Sequence, residues 1–250
     1  MKLSLRFLSL TIGLLGVLAL APRPVSAAEF TPDQRKAIEG IVRDYLANHP
    51  EMLIDALQAA DEKLKGEARD KAAKALIEHK KEVFDDPNTP IAGNPKGDVT
   101  LVEFFDYRCP YCKQVEPALE KLVAEDRLLK VVFKEFPVLG PESEIAAHVA
   151  LAAKKQGKYD AFHRAMMATG GHIDEAVIYK VAASVGLDVD RLRQDVKSAD
   201  IAAQLKANAV LGNQLDISGT PAFVIGDTIV PGALSVDGLR QLIANARGKP

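Results

Sequence analysis

The sequence predicts an α/β domain with a mixed sheet, preceded by a separate helical segment. Two apolar runs typical of strands are followed, much later in the chain, by a strand hairpin around Gly226-Asp227. Helical periodicities occupy about 142–215 between the second and third runs, and another covers 236–246 at the end. Strands separated by helices are typical of an α/β domain. The predicted strands are 100–105, 129–136, 222–225 and 228–230.

The segment Cys109-Pro110-Tyr111-Cys112 joins the first predicted strand to a helical periodicity over 115–122. With Cys109 as the N-cap and Pro110 at the first helical position, the missing proline N–H costs nothing, because that donor is unpaired in any helix. As a thiolate, Cys109 can accept the free N–H groups of Tyr111 and Cys112 and interact with the positive end of the helix dipole. The pattern therefore predicts a redox-active dithiol.

The positions of the two cysteines at the start of the helix predict different roles for them. A helix N-terminus lowers thiol pKa values to roughly 3.5–7.5, from about 8.5 for a free cysteine. We therefore predict that Cys109 is the nucleophile and that Cys112, further into the helix and shielded, resolves the mixed disulfide.

Two other readings of the cysteine pair are weaker. A structural disulfide between residues three apart closes a very short loop and stabilises little. A zinc site needs a second pair of ligands, and the histidines have no metal-ligand spacing. We therefore predict neither a metal site nor a cofactor, and assign no role to His148 or His163, on predicted helices of the 142–215 stretch. The histidines are His49, His79, His148, His163 and His172.

The composition is that of a soluble globular protein, with a formal charge of −2 and 48% hydrophobic residues. No basic cluster is interleaved with aromatic residues, which argues against a nucleic-acid partner. Residues 1–27 have the pattern of a signal peptide, with Lys2 and Arg6 before an apolar run, and small residues at 25–27. The run is shorter than the roughly 20 residues of a membrane-spanning helix. We predict cleavage after Ala27 or Ala28, with an uncleaved anchor as the alternative.

Residues 28–86 are predicted to be helical, and residues 87–98, rich in proline and glycine, to be a linker. A capping box with proline at the first helical position begins the first helix at 31–34. The next helix has a narrow apolar stripe that must be covered by the catalytic domain or by copies of itself, unless the helix is a solvated linker. The stripe consists of Leu53, Leu57, Ala60 and Leu64.

The strand, the dithiol, Pro117 inside the following helix, the helical insertion and the segment 219–221 occur in an order that resembles the exported thioredoxin-fold proteins of the DsbA type. The helical prefix and the segments 93–100 and 231–235 are most similar to the branch that contains suppressor of copper sensitivity protein C. The resemblance implies a thioredoxin fold with a helical insertion for residues 99–250, preceded by a helical oligomerisation or stalk segment. It also implies export to the periplasm, an oxidising compartment where disulfide exchange is meaningful.

The resemblance assigns further site residues. It implies that Pro221 is cis and lies beside the dithiol, with the Thr220 backbone free to pair with an extended substrate. Pro110 and Tyr111 are assigned to substrate binding with them. Glu103 stands where the family has a buried acid, which would relay protons to and from Cys112. An ion pair between Glu103 and Lys134 is the structural alternative.

The direction of the redox reaction stays open, because the same Pro-Tyr dipeptide occurs in many glutaredoxins. We favour a disulfide isomerase that is a homo-oligomer, with a trimer preferred, because the prefix has no evident partner within the chain. A monomeric dithiol oxidase is the alternative, and Cu(I) binding by the two thiolates is a second one. The expected partners are unfolded or misoxidised exported proteins and a membrane redox partner that resets the dithiol.

Overall fold

The computed structural model describes residues 30–248. The predicted signal peptide lies outside the described residues. The chain divides into two compact units, at Ala59 and Ala60. No helix of the described part is both long and apolar enough to cross a membrane.

The first unit contains α1 (Pro32–Asn48) and the beginning of α2 (Pro50–Glu78). The predicted capping box is present: Gln34 N donates to Thr31 Oγ1 at 3.2 Å, and Thr31 N donates to Gln34 Oε1 at 2.9 Å. The two helices carry large apolar side chains, and α1 buries none of its residues. The exposed apolar residues of this unit include Ile38, Ile41, Val42, Tyr45, Leu53, Ile54 and Leu57.

The second unit contains a five-stranded mixed sheet in the order β1-β3-β2-β4-β5. Strands β2 and β3 are parallel, and all other neighbours are antiparallel. Because β2 and β3 are buried along almost their whole length, the two sequence runs are mostly apolar on both faces, and the charged residues Glu103, Lys134 and Glu135 are buried within them. The strands are β1 (Ile91–Gly93), β2 (Val99–Phe105), β3 (Leu129–Glu135), β4 (Ala222–Ile225) and β5 (Thr228–Pro231).

The sheet has an apolar core on each face. One core joins Leu101, Phe105 and Phe133 to α4 (Pro110–Glu125) and α10 (Val236–Gly248). The other joins Val102 and Phe104 to side chains from α2, from α3 (Lys80–Phe84) and from the helix before β4. Side chains alternate between the faces along each strand, so these two layers position strand β2, which leads to the two cysteines, from both sides.

Five helices form the insertion between β3 and β4, over residues 141–214. Pro117 lies inside α4, as the sequence predicted, and the helix continues past it to Glu125. The insertion helices are α5 (Pro141–Lys155), α6 (Tyr159–Ala168), α7 (Glu175–Ser184), α8 (Val189–Asp195) and α9 (Ala199–Gln214).

The sequence analysis did not predict β1 or the packing of the segment before it. Residues 91–93, in the stretch predicted to be a linker, pair with β3 at the edge of the sheet. Leu76 and Val83, assigned to the helical prefix, are buried in the second core. Proline and glycine around a three-residue strand hide its pattern, and its burial depends on a partner strand almost forty residues away.

Candidate functional site

Cys109 is the N-cap of α4, with Pro110 at the first helical position, as the sequence predicted. The Cys109 backbone is extended, with φ −72° and ψ 117°, and its carbonyl accepts from Lys113 N at 3.2 Å. The side chain makes no hydrogen bond to the helix N–H groups, in contrast to the arrangement expected for the thiolate. Its sulfur instead donates to the backbone oxygen of Thr220 at 3.2 Å, because a protonated thiol has a proton to donate.

Cys112 lies behind Cys109 and is fully buried. Both cysteines are free thiols. Burial raises the pKa of the Cys112 thiol, and the charge of the Glu103 carboxylate raises it further. Cys109 is buried too, at 3% exposure, so burial alone does not distinguish the nucleophile from the resolving thiol.

The peptide bond between Thr220 and Pro221 is cis, as the resemblance implied. The register of β2 and β4 explains why this loop lies at the dithiol: Phe104 is opposite Ala222, so residues 220–221 reach the same end of the sheet as 105–109. Gly232 N donates to the Pro221 oxygen at 2.8 Å, which joins the loop to the end of β5. Thr220 and Cys109 are thus in direct contact, although 111 positions separate them.

Glu103 is fully buried on β2, and neither of its carboxylate oxygens has a hydrogen-bond partner among the described residues. Burial raises its pKa well above the ordinary value, and the charges of Glu116, Cys109 and Glu135 raise it further. A carboxyl in this environment keeps its proton to a higher pH than an ordinary acid does.

The structure does not contain the ion pair between Glu103 and Lys134 considered as the alternative. Glu103 is opposite Phe133 in the parallel register, so Lys134 projects from the other face of the sheet. The Lys134 ammonium donates to Glu82 O at 2.7 Å and to Thr89 Oγ1 at 2.8 Å instead.

Pro110 and Tyr111 lie at the surface, on the first turn of α4, and Tyr111 is 60% exposed. Arg108 Nη1 donates to Leu139 O at 2.7 Å, which brings the exposed Val138-Leu139 loop beside the residue before Cys109. Exposed apolar side chains of Tyr111 and of the Val138-Leu139 loop therefore lie close in sequence or by contact to the residues that flank Cys109.

Sequence reasoning missed a buried polar network that joins β3, α4 and α6. The Tyr107 and Tyr159 hydroxyls both donate to Glu135 Oε1, at 3.1 and 2.8 Å, and His163 Nδ1 lies 3.1 Å from the Tyr107 hydroxyl. His163 Nε2 lies 3.3 Å from Glu116 Oε2. The sequence feature that could have indicated this network is the spacing of Tyr159 and His163, which lie four residues apart on the apolar side of one helix.

Within residues 30–248, no group of three or more His, Cys, Asp or Glu side chains is arranged to hold a metal ion. The two free cysteines supply sulfur atoms, which are soft metal ligands, but they are only two.

Two family descriptions match the chain. Residues 100–244 match the DSBA-like thioredoxin domain, and residues 34–65 match the copper resistance protein ScsC N-terminal domain. The second match covers parts of α1 and α2.

Among solved structures, a thioredoxin-like oxidoreductase from Silicibacter pomeroyi is 41% identical, with a TM-score of 0.67, and the match covers 68% of this chain and 98% of that one. Proteus mirabilis ScsC with a linker deletion is 30% identical, with a TM-score of 0.67, and the match covers 90% of this chain and 100% of that one.

Among curated relatives, the Na(+)/H(+) antiporter NhaA 1 of Salinispora arenicola is 28% identical over 158 residues, which are 62% of this chain and 24% of that protein. The chain thus spans about a quarter of the length of this antiporter.

The structure agrees with these matches in its sheet order, in the dithiol at the start of α4 and in the helical insertion. The residues that match the ScsC N-terminal domain, 34–65, are helical and belong to α1 and α2. The chain belongs to the DsbA-like thioredoxin family of thiol–disulfide oxidoreductases, with an ScsC-type N-terminal helical segment.

Proposed function

We propose that this protein exchanges disulfides with polypeptide substrates through Cys109 and Cys112. The observation that carries the proposal is the position of Cys109, at the N-terminus of α4 and against the Thr220 carbonyl, with Cys112 buried behind it. The exposed Pro110, Tyr111 and Val138-Leu139 loop supply a surface for an extended substrate, and the backbone of Thr220 beside Pro221 can pair with its main chain.

In the isomerase direction, the Cys109 thiolate attacks a substrate disulfide. A bond forms between Cys109 and one substrate sulfur, and the other substrate sulfur leaves as a thiolate. That thiolate can then attack a different substrate disulfide and finally displace Cys109, so the substrate is rearranged without net oxidation.

In the release step, Cys112 attacks Cys109 of the mixed disulfide. The Cys109–Cys112 bond forms, the substrate leaves as a reduced thiolate, and two electrons pass from the dithiol to the substrate disulfide. The Cys112 proton passes to the Glu103 carboxylate, and from there to solvent. Running backwards, the same step oxidises a substrate dithiol, with Glu103 returning the proton to Cys112.

Alkylation and trapping test Cys109 as the nucleophile. In the Cys112→Ser variant at neutral pH, we expect iodoacetamide to modify Cys109 faster than it modifies a free cysteine. This variant should also trap a mixed disulfide with a scrambled protein, and Cys109→Ser should not. An alkylation rate equal to that of a free cysteine, together with no trapped complex, would contradict the proposal.

We favour a disulfide isomerase working as a homo-oligomer, with a trimer preferred, over a monomeric oxidase. The support is the exposed apolar surface of α1 and the start of α2, together with the match of residues 34–65 to the ScsC N-terminal domain. Assembly would keep the dithiol away from oxidising machinery and so leave it reduced. Its partners would be misoxidised or unfolded exported proteins in the periplasm, and a membrane redox partner that resets the dithiol.

Binding of Cu(I) is a second candidate, favoured by two free thiols and by the description of the matching N-terminal family as copper resistance proteins. Thiolates are soft ligands and select Cu(I). The reduced protein should retain one equivalent against a strong Cu(I) chelator, and the Cys109→Ser variant should lose it. Failure of the reduced wild-type protein to retain copper would remove this candidate.

A further inference from the structure

Asp106 directly follows β2 and begins the turn that leads to Cys109. Its side chain is buried, at 2% exposure. The Asp106 backbone oxygen accepts from Cys109 N at 3.0 Å, and one carboxyl oxygen, Oδ1, accepts from Arg108 N at 2.7 Å. Since both bonds lie within residues 106–109, they fix the backbone that carries the Cys109 sulfur.

The other carboxyl oxygen of Asp106 holds a different segment of the chain. Asp106 Oδ2 accepts from Val138 N at 2.9 Å and from Leu139 N at 3.0 Å. These two residues lie 32 and 33 positions later, in the loop between β3 and α5. The two bonds define the position of the loop, because moving it would leave a buried oxygen unpaired in a site that water does not reach.

A second link joins the same loop to the residue before Cys109. Arg108 Nη1 donates to Leu139 O at 2.7 Å and to Glu142 Oε2 at 2.8 Å. Gly140 permits this approach: its φ is +113°, a region that favours glycine, and a Cβ there would lie 3.1 Å from Arg108 Nη1. The loop is therefore attached to the turn before Cys109 at two points, through its N–H groups and through a carbonyl.

These bonds use the backbone of the loop and leave its apolar side chains exposed. Val138 is 47% exposed and Leu139 is 43% exposed. Apolar side chains on a fixed backbone bind a ligand well, because the loop does not have to be ordered when the ligand arrives. In a mixed disulfide at Cys109, the substrate residues beside the substrate cysteine are the ones nearest to this loop. An apolar side chain there would remove apolar surface of both partners from water.

We propose that Asp106 is a positioning residue that holds the Val138-Leu139 loop beside Cys109, and that the loop selects substrates with an apolar side chain next to the reacting disulfide. The inference rests on the proposed exchange of disulfides at Cys109. Asp106 takes no part in the electron transfer, since the bonds that form and break are those between sulfur atoms. It acts on which polypeptide is held at the dithiol.

The test uses two disulfide-linked peptides that differ only in the residue beside each cysteine, leucine in one and serine in the other. Stopped-flow measurements give the second-order rate of exchange of each peptide with the reduced, full-length protein. We expect the wild-type protein to react about ten-fold faster with the leucine peptide, through partial burial of the leucine side chains. The ratio of the two rates is informative because damage to the dithiol would lower both rates equally.

The Asp106→Ala variant removes both acceptors of the loop N–H groups. We expect the preference for the leucine peptide to fall by about three-fold or more, because a released loop must be ordered again whenever a substrate binds. Amide hydrogen exchange at Val138 and Leu139 should become faster in the same variant. A preference equal to that of the wild-type protein, or unchanged hydrogen exchange at both amides, would overturn the proposal.

Two matched variants serve as controls. Ser143→Ala removes the 2.8 Å bond from Ser143 Oγ to Asp106 Oδ1 but leaves both loop bonds in place, so the preference should not change. Val138→Ser should reduce the preference, whereas Val210→Ser, at an equally exposed valine of α9, should not. Equal effects of the two valine substitutions would show that the loop does not select the substrate.

Gly140→Ala provides a second route if Asp106→Ala does not fold. It leaves Asp106 in place and displaces the loop through the strained φ and the contact with Arg108. We expect the same fall in preference, and an unchanged preference would again overturn the proposal. If the wild-type protein exchanges with both peptides at equal rates, the loop is not selective, although the disulfide exchange stands. Exchange with neither peptide would contradict the proposed function itself.

Discussion

At the scale of single residues, Glu103 shows how burial and charge act in the same direction. Burial raises its pKa, and the nearby acids raise it again. The folded protein therefore binds a proton at Glu103 at pH values where the unfolded chain, with a glutamate pKa of about 4.3, has released it. Stability from this group is present below the unfolded pKa and is lost as the pH rises through the folded pKa.

We predict that Glu103→Gln weakens this pH dependence. In the oxidised protein, where the thiols cannot titrate, the variant should gain at least about 1 kcal/mol relative to wild type between pH 5 and pH 8, since each pKa unit corresponds to about 1.4 kcal/mol. Urea unfolding at each pH provides the measurement. Glu144→Gln, at an exposed glutamate of α5, is the control and should leave the slope unchanged. Parallel stability profiles for Glu103→Gln and wild type would show that Glu103 ionises normally.

At the scale of elements, strand register decides which buried charges meet. Glu103 and Glu135 share the face of the sheet that α4 covers, and Lys134 belongs to the opposite face. There, Lys134 joins β3 to α3 and the following turn through Glu82 O, Thr89 Oγ1 and the Asp86 carboxylate, 3.5 Å away. Asp86 also accepts from Gln204 of α9 at 2.8 Å, so the helices on this face depend on one buried ammonium.

We therefore expect Lys134→Met to destabilise the protein by about 2 kcal/mol, because it removes the hydrogen bonds of a buried ammonium to Glu82 O and Thr89 Oγ1 and its contact with the partly exposed Asp86. Guanidinium unfolding followed by circular dichroism would measure the loss. Lys121→Met is the matched control: its 3.8 Å contact with Glu125 is exposed, and we expect a change within about 0.5 kcal/mol. Equal effects of the two substitutions would show that the Lys134 contacts contribute no more than a surface pair.

At the scale of the whole molecule, the two units bury their apolar residues differently. The second unit has two cores around its sheet. In the first unit, Ile41 is 68% exposed and Leu57 is 70% exposed. Apolar helical surface of this extent is typical of an interaction site, and a second copy of the chain offers a surface of the same character.

We predict that the double variant Leu53→Glu, Leu57→Glu dissociates the oligomer, because each buried carboxylate at the contact lacks a partner. Light scattering should give the mass of a trimer for the wild-type protein and of a monomer for the variant. Isomerase activity on a scrambled protein should fall several-fold, while alkylation of Cys109 stays unchanged.

Gln58→Glu adds a charge to the same helix away from the Leu53–Leu64 stripe and is the matched control, expected to remain oligomeric and active. A monomeric wild-type protein, or a monomeric variant with full isomerase activity, would favour the oxidase function instead.

Several features of this protein follow from local sequence. Proline after Cys109 and helical spacing after Cys112 define the dithiol at a helix N-terminus, because the first turn of a helix leaves its N–H groups unpaired whatever the rest of the fold. The strands β2 and β3, the capping box of α1 and the five insertion helices are equally readable, since each depends on the periodicity of adjacent residues.

Other features depend on residues far apart in the chain, and only the tertiary structure decides them. The contact of Cys109 with Thr220, the separation of Glu103 from Lys134 and the pairing of His163 with Glu116 all depend on strand register or helix docking. A shift of one residue in register moves every side chain of a strand to the other face, and no local pattern specifies which buried acid then faces which base. The sequence by itself therefore determines the dithiol at a helix N-terminus, whereas the packing of β2, β3, α4 and α6 determines which buried acids and bases lie near it.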